Sequence, residues 1–237
     1  MAGLSKIQKL QHNHLMKELV IFDVDETIVR GQSQELFLRY LLKNKQIGYF
    51  FYLKLLIWFV LYKIGIIKDP KKPMVYAYSF LKGKSVAEIT WLAHDFFEGA
   101  LKNAIYPEAI DIIREHESMG RMVILVSNSI EEIVKEMADY LHVDSYLTTT
   151  LETKEGYYTG VIRSMVYGNY KTEVVNKFIK ENDLNLETAW AYGDHISDQP
   201  LLSIVANPVV VNPSPALLEI AQKKHWPIMK FGSAEVL

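Results

Sequence analysis

Cysteine is absent from all 237 residues, so disulfides, zinc-thiolate centres and thiol nucleophiles are excluded, and any metal must be held by oxygen or imidazole. Such a chain suits a reducing interior. Net charge is also scarce: 26 Lys and Arg against 28 Asp and Glu leave −2, which gives no general attraction to nucleic acid. No basic stripe with interleaved aromatics offers a base-stacking surface, so no nucleic-acid partner is expected and small molecules are. The seven histidines show no metal-ligand spacing, and His195 beside Asp194 reads as a wall residue rather than a ligand. Internal repeats and low-complexity segments are missing too. The first seventeen residues, with Lys6, Lys9, His12, His14 and Lys17, lack the unbroken apolar run and small-residue cleavage site of a secretion signal. A short helical or frayed tail and a cytoplasmic setting are the expectation there.

What is present is enough apolar material, 49% of side chains, for one sizeable core plus an insertion. Apolar runs that end in polar residues recur: Leu19 to Phe22 before Asp23, Met122 to Val126 before Ser127, Ala189 to Tyr192 before Gly193-Asp194, and Val209 to Val211 before Asn212. These read as parallel strands buried on both faces. Between them, Ile130, Ile133, Val134, Met137 and Leu141, and then Val174, Val175, Phe178 and Ile179, have helical spacing. Ser129 with Glu132 has the form of a capping box, and Ser214-Pro215 reads as an N-cap followed by proline at the first helical position. The alternation predicts a doubly wound, Rossmann-like α/β core. Tyr146 to Ser164, with Glu155-Gly156 at its turn, reads as a hairpin inside that core. Residues 32–103 show no strand pattern and read as an all-helical insert, which divides the chain into core 1–31, insert 32–103 and core 104–237. The helical pieces expected are Gln34 to Lys43, Gly48 to Lys63, Pro73 to Leu81 and Ser85 to Lys102, with Asp69-Pro70 as a break and Ser85 to Glu88 as a second capping box.

The chemistry is concentrated at the strand ends, where ligands bind in such sheets. Asp23-Val24-Asp25-Glu26-Thr27 follows the first run directly. In an extended strand residues i and i+2 point the same way, so Asp23 and Asp25 are expected to face one site. A phosphate monoester repels nucleophiles, so its hydrolysis needs a positioned attacker, neutralising charge and a proton donor for the leaving oxygen. Asp23 fits the nucleophile, and Asp25 fits the acid that protonates the leaving group and then the base that activates water. Magnesium, which prefers oxygen ligands, fits a position between Asp23, the Asp25 backbone carbonyl, Asp194 and a phosphate oxygen. Lys171 adds a compact positive charge before a helix, and Asp198 is placed to orient it or to hold a metal-bound water. The Ser127 hydroxyl and the Asn128 amide are placed to donate to phosphate near a helix start. Each of these residues has a bland reading alone: a turn-closing serine, a solvated lysine, an Asx-type turn after Gly193. Their order and placement together point to a site.

Asp23 to Thr27, Ser127, Lys171 and Gly193-Asp194-His195-Ile196-Ser197-Asp198 resemble the motifs of haloacid dehalogenase-like phosphatases, over nearly the whole chain. The helical insert lies where that superfamily carries its C1-type cap. Ala206 to Pro213 followed by His225-Trp226-Pro227-Ile228 is similar to the phosphoserine-phosphatase-like subgroup IB. The resemblance implies magnesium-dependent hydrolysis of a phosphomonoester, with Thr27 and Asp198 in the shell behind the catalytic groups. It departs at Gln32, where phosphoserine phosphatases carry a glutamate that reads the substrate's ammonium, and Glu35 lies three residues further on. Gln32, Glu35 and Arg39, with Arg30 and Gln34 nearby, are the candidates for reading the leaving group.

The apolar stretch 47–67, which includes Leu55-Leu56-Ile57-Trp58-Phe59-Val60-Leu61, approaches the ~20 residues of a membrane span. Lys54 and Lys63 lie about half a turn out of phase, so no rotation keeps both from lipid without snorkelling. A buried helix of the insert is therefore the leading expectation, with membrane-surface contact as the alternative and a span disfavoured. The functions that compete are a phosphatase of a small phosphorylated metabolite, a membrane-surface phosphatase of a lipid phosphate, and a non-catalytic phospholigand-binding scaffold. The intact acids speak against the last, and the sequence fixes no oligomeric state.

Overall fold

The computed structural model describes residues 17–64, 66 and 71–232. The expected tail over 1–16 and the break at Asp69-Pro70 lie outside the described residues. The chain enters on β1 (Leu19–Asp23) and then runs through α1 (Ser33–Lys43), α2 (Tyr49–Lys63), α3 (Lys71–Tyr78) and α4 (Val86–Phe96). A π turn and a 3₁₀ turn carry α4 on to Ala104 before α5 (Pro107–Ser118) and β2 (Met122–Ile130). There follow α6 (Glu131–Leu141), the pair β3 (Ser145–Lys154) and β4 (Tyr157–Ser164), and α7 (Asn169–Glu181). The last part is β5 (Trp190–Gly193), α8 (Gln199–Leu202), β6 (Asn207–Val211), α9 (Pro215–Lys224) and β7 (Ile228–Met229). The strand order is β4-β3-β2-β1-β5-β6-β7, parallel throughout except for the antiparallel β3–β4 hairpin.

The sheet is covered on both faces because its strands are apolar on both. Val20 and Phe22 of β1 join Val123 and Leu125 of β2 in one cluster, which α4, α5 and α6 complete with Leu92, Phe96, Ile113, Val134 and Met137. Leu19, Ile21, Ile124 and Val126 point to the other face, where α7 and α9 contribute Val175, Ile179, Leu217 and Ala221. Successive side chains on a strand alternate, so Asp23 continues the Leu19 and Ile21 row toward the face that α7 covers. β1 has β2 on one side and β5 on the other. The order of strands reverses there, and the crevice beyond the carboxyl ends of such strands is where a ligand fits.

Four local expectations are corrected. β2 continues through Ser129 to Ile130, so Ile130 and not Ser129 precedes α6, and no side chain caps that helix. The Ser129 amide is instead taken by Ser127 Oγ at 3.0 Å, beside a slip in the β2–β3 register. Lys171 is inside the first turn of α7 and not ahead of it. The apolar helix α2 is mostly unburied: Leu55 is buried, Trp58 and Leu61 are half-buried, and Ile57 and Phe59 are exposed. Phe51 stacks on Tyr76 of α3 at 4.9 Å, and Trp58 leans on the same ring at 5.6 Å. A single flank is thus packed, and a helix apolar on every side has no polar face to indicate which flank that is. The Ser85 cap is present, its Oγ accepting from the Glu88 amide at 3.1 Å. Pro215 does open α9 after Ser214, but the Ser214 hydroxyl makes no capping bond. β7, only two residues long, carries no pattern that could announce it.

Candidate active site

Four side chains from three separate parts of the chain meet beyond the carboxyl ends of β1 and β5. Lys171 Nζ donates to Asp23 Oδ1 and, at 2.6 Å, to Asp198 Oδ1. The lysine is almost fully buried, which an ammonium tolerates only when paired. Asp198 Oδ2 accepts from the His195 amide at 3.2 Å, so both of its oxygens are engaged. Gly193 makes that approach feasible, because a Cβ there would lie 2.9 Å from the Asp198 Cβ. The role of Gly193 is thus to admit Asp198. His195 is exposed, and its Nδ1 accepts from the Ser197 amide at 3.3 Å, closing the short turn that carries Asp198.

Asp194 is buried beside this group, and one carboxylate oxygen each from Asp23, Asp194 and Asp198 lie within 4.8 Å of one another. Three acids therefore share one lysine. Burial first, with Asp198 and Asp25 adding to it, pushes Asp23 up to about 8 against the pull of Lys171. Burial and the neighbouring Asp23 and Asp198 push Asp194 up to about 9. Lys171 is held above its ordinary value by Asp198 and Asp23, which outweigh its burial. The donor set is all oxygen and holds three acids against the one lysine, so it suits a hard divalent cation.

Asp25 lies just past the end of β1, and Glu26 after it takes a left-handed φ of 58° that turns the chain. Its Oδ1 accepts from the Ser33 amide at 2.7 Å, which anchors the start of α1 on the acid. Burial is the main influence raising Asp25. Thr27 is fully buried behind the loop. Ser127 is buried at the end of β2 with its oxygen accepting from Ser129, so its own hydrogen stays available to a ligand. Thr27 Oγ1, Asn128 Oδ1 and Ser129 Oγ are buried without a protein partner.

Besides the Ser33 amide, the helices between β1 and β2 bring the side chains of Gln34 and Tyr78 to this end of the sheet. Gln34 Nε2 donates to the Asn128 carbonyl at 2.8 Å and to the Tyr78 hydroxyl at 2.9 Å. Tyr78 is buried, and the nearby Asp25 and Glu132 charges add to burial in raising its phenol above the ordinary range. The remaining candidates from the insert point elsewhere: Gln32 is exposed, and Glu35 and Arg39 pair with each other at 2.5 Å on the surface. Tyr78 was missed from the sequence because it ends a separate helix and carries no local signal. Beside Gln34 and Tyr78 lies a small apolar recess, with room for about one water molecule and with Phe37, Leu38, Phe59 and Ile130 on its walls.

The family model for haloacid dehalogenase-like hydrolases matches residues 20–203. The chain is 28% identical over 220 residues to a phosphoserine phosphatase of Mycobacterium tuberculosis, spanning 90% of this chain and 70% of that one. It is 26% identical over 229 residues to a histidinol-phosphatase of Neisseria meningitidis serogroup C, spanning 91% of this chain and 100% of that one. The fold is similar to the solved structure of a protein of unknown function from Bordetella pertussis Tohama I, with a TM-score of 0.83 at 24% identity over 90% of this chain and 98% of that one. The chain belongs to the haloacid dehalogenase-like hydrolase family.

Proposed function

We propose that the chain is a magnesium-dependent phosphomonoesterase that works through an aspartyl-phosphate on Asp23 and acts on a small phosphorylated metabolite. The observation that carries this reading is the buried group of Asp23, Asp194 and Asp198 around Lys171, which holds more acid than its one lysine balances. A magnesium ion held there would supply the missing positive charge and Lewis-acid polarisation of the phosphate. Asp23 and Asp194 are the carboxylates that would hold it, with the Asp25 carbonyl as a further oxygen, while Asp198 is occupied in fixing Lys171.

In the first half-reaction an Asp23 carboxylate oxygen bonds to phosphorus and the ester P–O bond breaks. Asp25, whose acid form burial favours, gives its proton to the departing alkoxide. In the second, Asp25 takes a proton from water as the water oxygen bonds to phosphorus and the Asp23–phosphorus bond breaks, which restores both acids and releases phosphate. Ser127, the Asn128 amide and Lys171 hold the phosphoryl oxygens meanwhile. Thr27 braces the loop from behind. The helices over 32–103 serve as a C1-type cap on the core formed by 1–31 and 104–237, excluding bulk water during transfer.

The relatives named as phosphoserine and histidinol phosphatases support a small amino-acid-like or amino-alcohol phosphate. The recess, whose polar wall is Gln34, Tyr78 and Ser129, has no acid among its lining residues, so an amino group on such a substrate would not be held there by a carboxylate. The test is phosphate release from aryl, amino-acid, sugar and polyol phosphates with magnesium or with chelator. Turnover should need the metal, and Asp23→Asn should abolish it while the far-UV spectrum stays native. An Asp23→Asn protein of full activity would overturn the mechanism.

A further inference from the structure

We infer that α2 is a docking helix for the surface of an anionic lipid membrane. Tyr49, Leu53, Leu56 and Val60 recur at helical spacing on one side of it, with Phe50 and Ile57 flanking them, and all six are exposed, Phe50 at 84% and Val60 at 57%. An apolar strip of that length left in water is unfavourable, and on a soluble domain it marks a surface that meets something apolar. Charge decides what that is. From Leu36 to Lys68 the sequence has six basic residues and no acidic one, in a chain whose net charge is −2, and of the six Arg39 is paired with Glu35 just outside that stretch. A positive segment around an apolar strip fits acyl chains beneath anionic headgroups, where each basic residue adds to the attraction and the strip enters the headgroup boundary. Lys43 and Lys45 are exposed at the entrance to α2. Lys54 does not interrupt the strip, because its ammonium lies over the Tyr76 ring, 4.4 Å from the centroid, on the packed flank. Among the described residues no helix is long and apolar enough to cross a membrane, so the contact is parallel to the surface. Phe59 is exposed on α2 and also lines the recess beside Gln34 and Tyr78, so the recess adjoins the docking helix.

The test is co-sedimentation of the full chain with vesicles of phosphatidylcholine alone and of phosphatidylcholine with phosphatidylglycerol, at low and high salt. Binding should require phosphatidylglycerol and weaken with salt. The double variant Leu56→Glu/Val60→Glu should lose about tenfold or more of that binding while releasing phosphate from a soluble aryl phosphate as the wild type does. Leu56→Ser/Val60→Ser, which adds no charge, should also lose binding, and a melting curve of each variant establishes that it is folded. No binding of the wild type to anionic vesicles, or equal binding to both vesicles, overturns the inference. So does a dimer, seen by light scattering, that the variants dissociate without any vesicle binding, since the strip would then belong to a second copy. Sedimentation reads docking without turnover, so it stands or falls separately from the phosphatase reading.

Discussion

At the scale of single residues, the site is built against its own stability. Asp194 has its carboxyl pushed up to about 9 by burial among Asp23 and Asp198. A group raised in this way favours the fold below its unfolded value near 3.8 and loses that contribution as pH rises toward 9. Asp194→Asn is therefore expected to melt above the wild type at pH 8 without divalent metal, with the gap closing toward pH 5. Magnesium should raise the melting temperature of the wild type and leave the variant nearly unmoved, and equal protection of both would remove Asp194 from the metal site. Asp25→Asn tests a different role. Its loss should slow poor leaving groups by about a hundredfold or more and activated aryl phosphates far less, which a plot of rate against leaving-group pKa reads directly. These acids were legible in the sequence because each follows an apolar strand, where the polar break is conspicuous. Tyr78 was not, and Gln34 did not stand out from the other polar residues of the insert, since the two converge on the Asn128 carbonyl from helices whose relative placement is set only by packing.

At the scale of elements, the strands could be read and the insert could be only half read. β1, β2, β5 and β6 are short apolar runs with abrupt polar ends, and burial on both faces leaves such runs little alternative. The hairpin of β3 and β4 was marked by Glu155-Gly156, both of which take left-handed backbone angles. The helix α2 offered no comparable cue, because its apolar residues surround it and its packed side is chosen by Phe51, Leu55 and Trp58 meeting the α3 region. Trp58 rests on Tyr76 while half exposed, so its removal should cost less than that of a core aromatic. Trp58→Ala is expected to lower stability by about 1–2 kcal/mol, measured by denaturant titration. A loss of 3 kcal/mol or more would mean that α2 is buried in solution.

At the scale of the whole molecule, the face of the sheet that α5 covers carries a buried polar point that reports on pH. His116 of α5 is wedged between Tyr192 of β5 and Arg121, with Nδ1 3.0 Å from the Arg121 guanidinium and Nε2 2.8 Å from the Tyr192 hydroxyl. Arginine can only donate, so Nδ1 accepts and the proton sits on Nε2, which donates to the phenol. Burial and then the Arg121 charge push His116 down to about 4. The sign is opposite to that of the acids: the contribution is complete above the unfolded value near 6.5 and is lost as pH falls toward 4. The raised acids act the other way over that window, so the test is the difference between proteins: the stability of His116→Gln relative to the wild type should rise as pH falls from 6.5 toward 4. Parallel pH profiles of the two proteins would contradict it. The strand order carries one more consequence, for the birth of the protein. β1 is made first and lies mid-sheet, yet its neighbours begin at Met122 and Trp190. While the ribosome works through the helices between, both edges of that strand stay open, and Asp23 waits for a lysine that arrives 148 positions later. Folding must close long loops before it gains these contacts, so the nascent chain is slow to mature and exposed to mispairing until most of it has been synthesised.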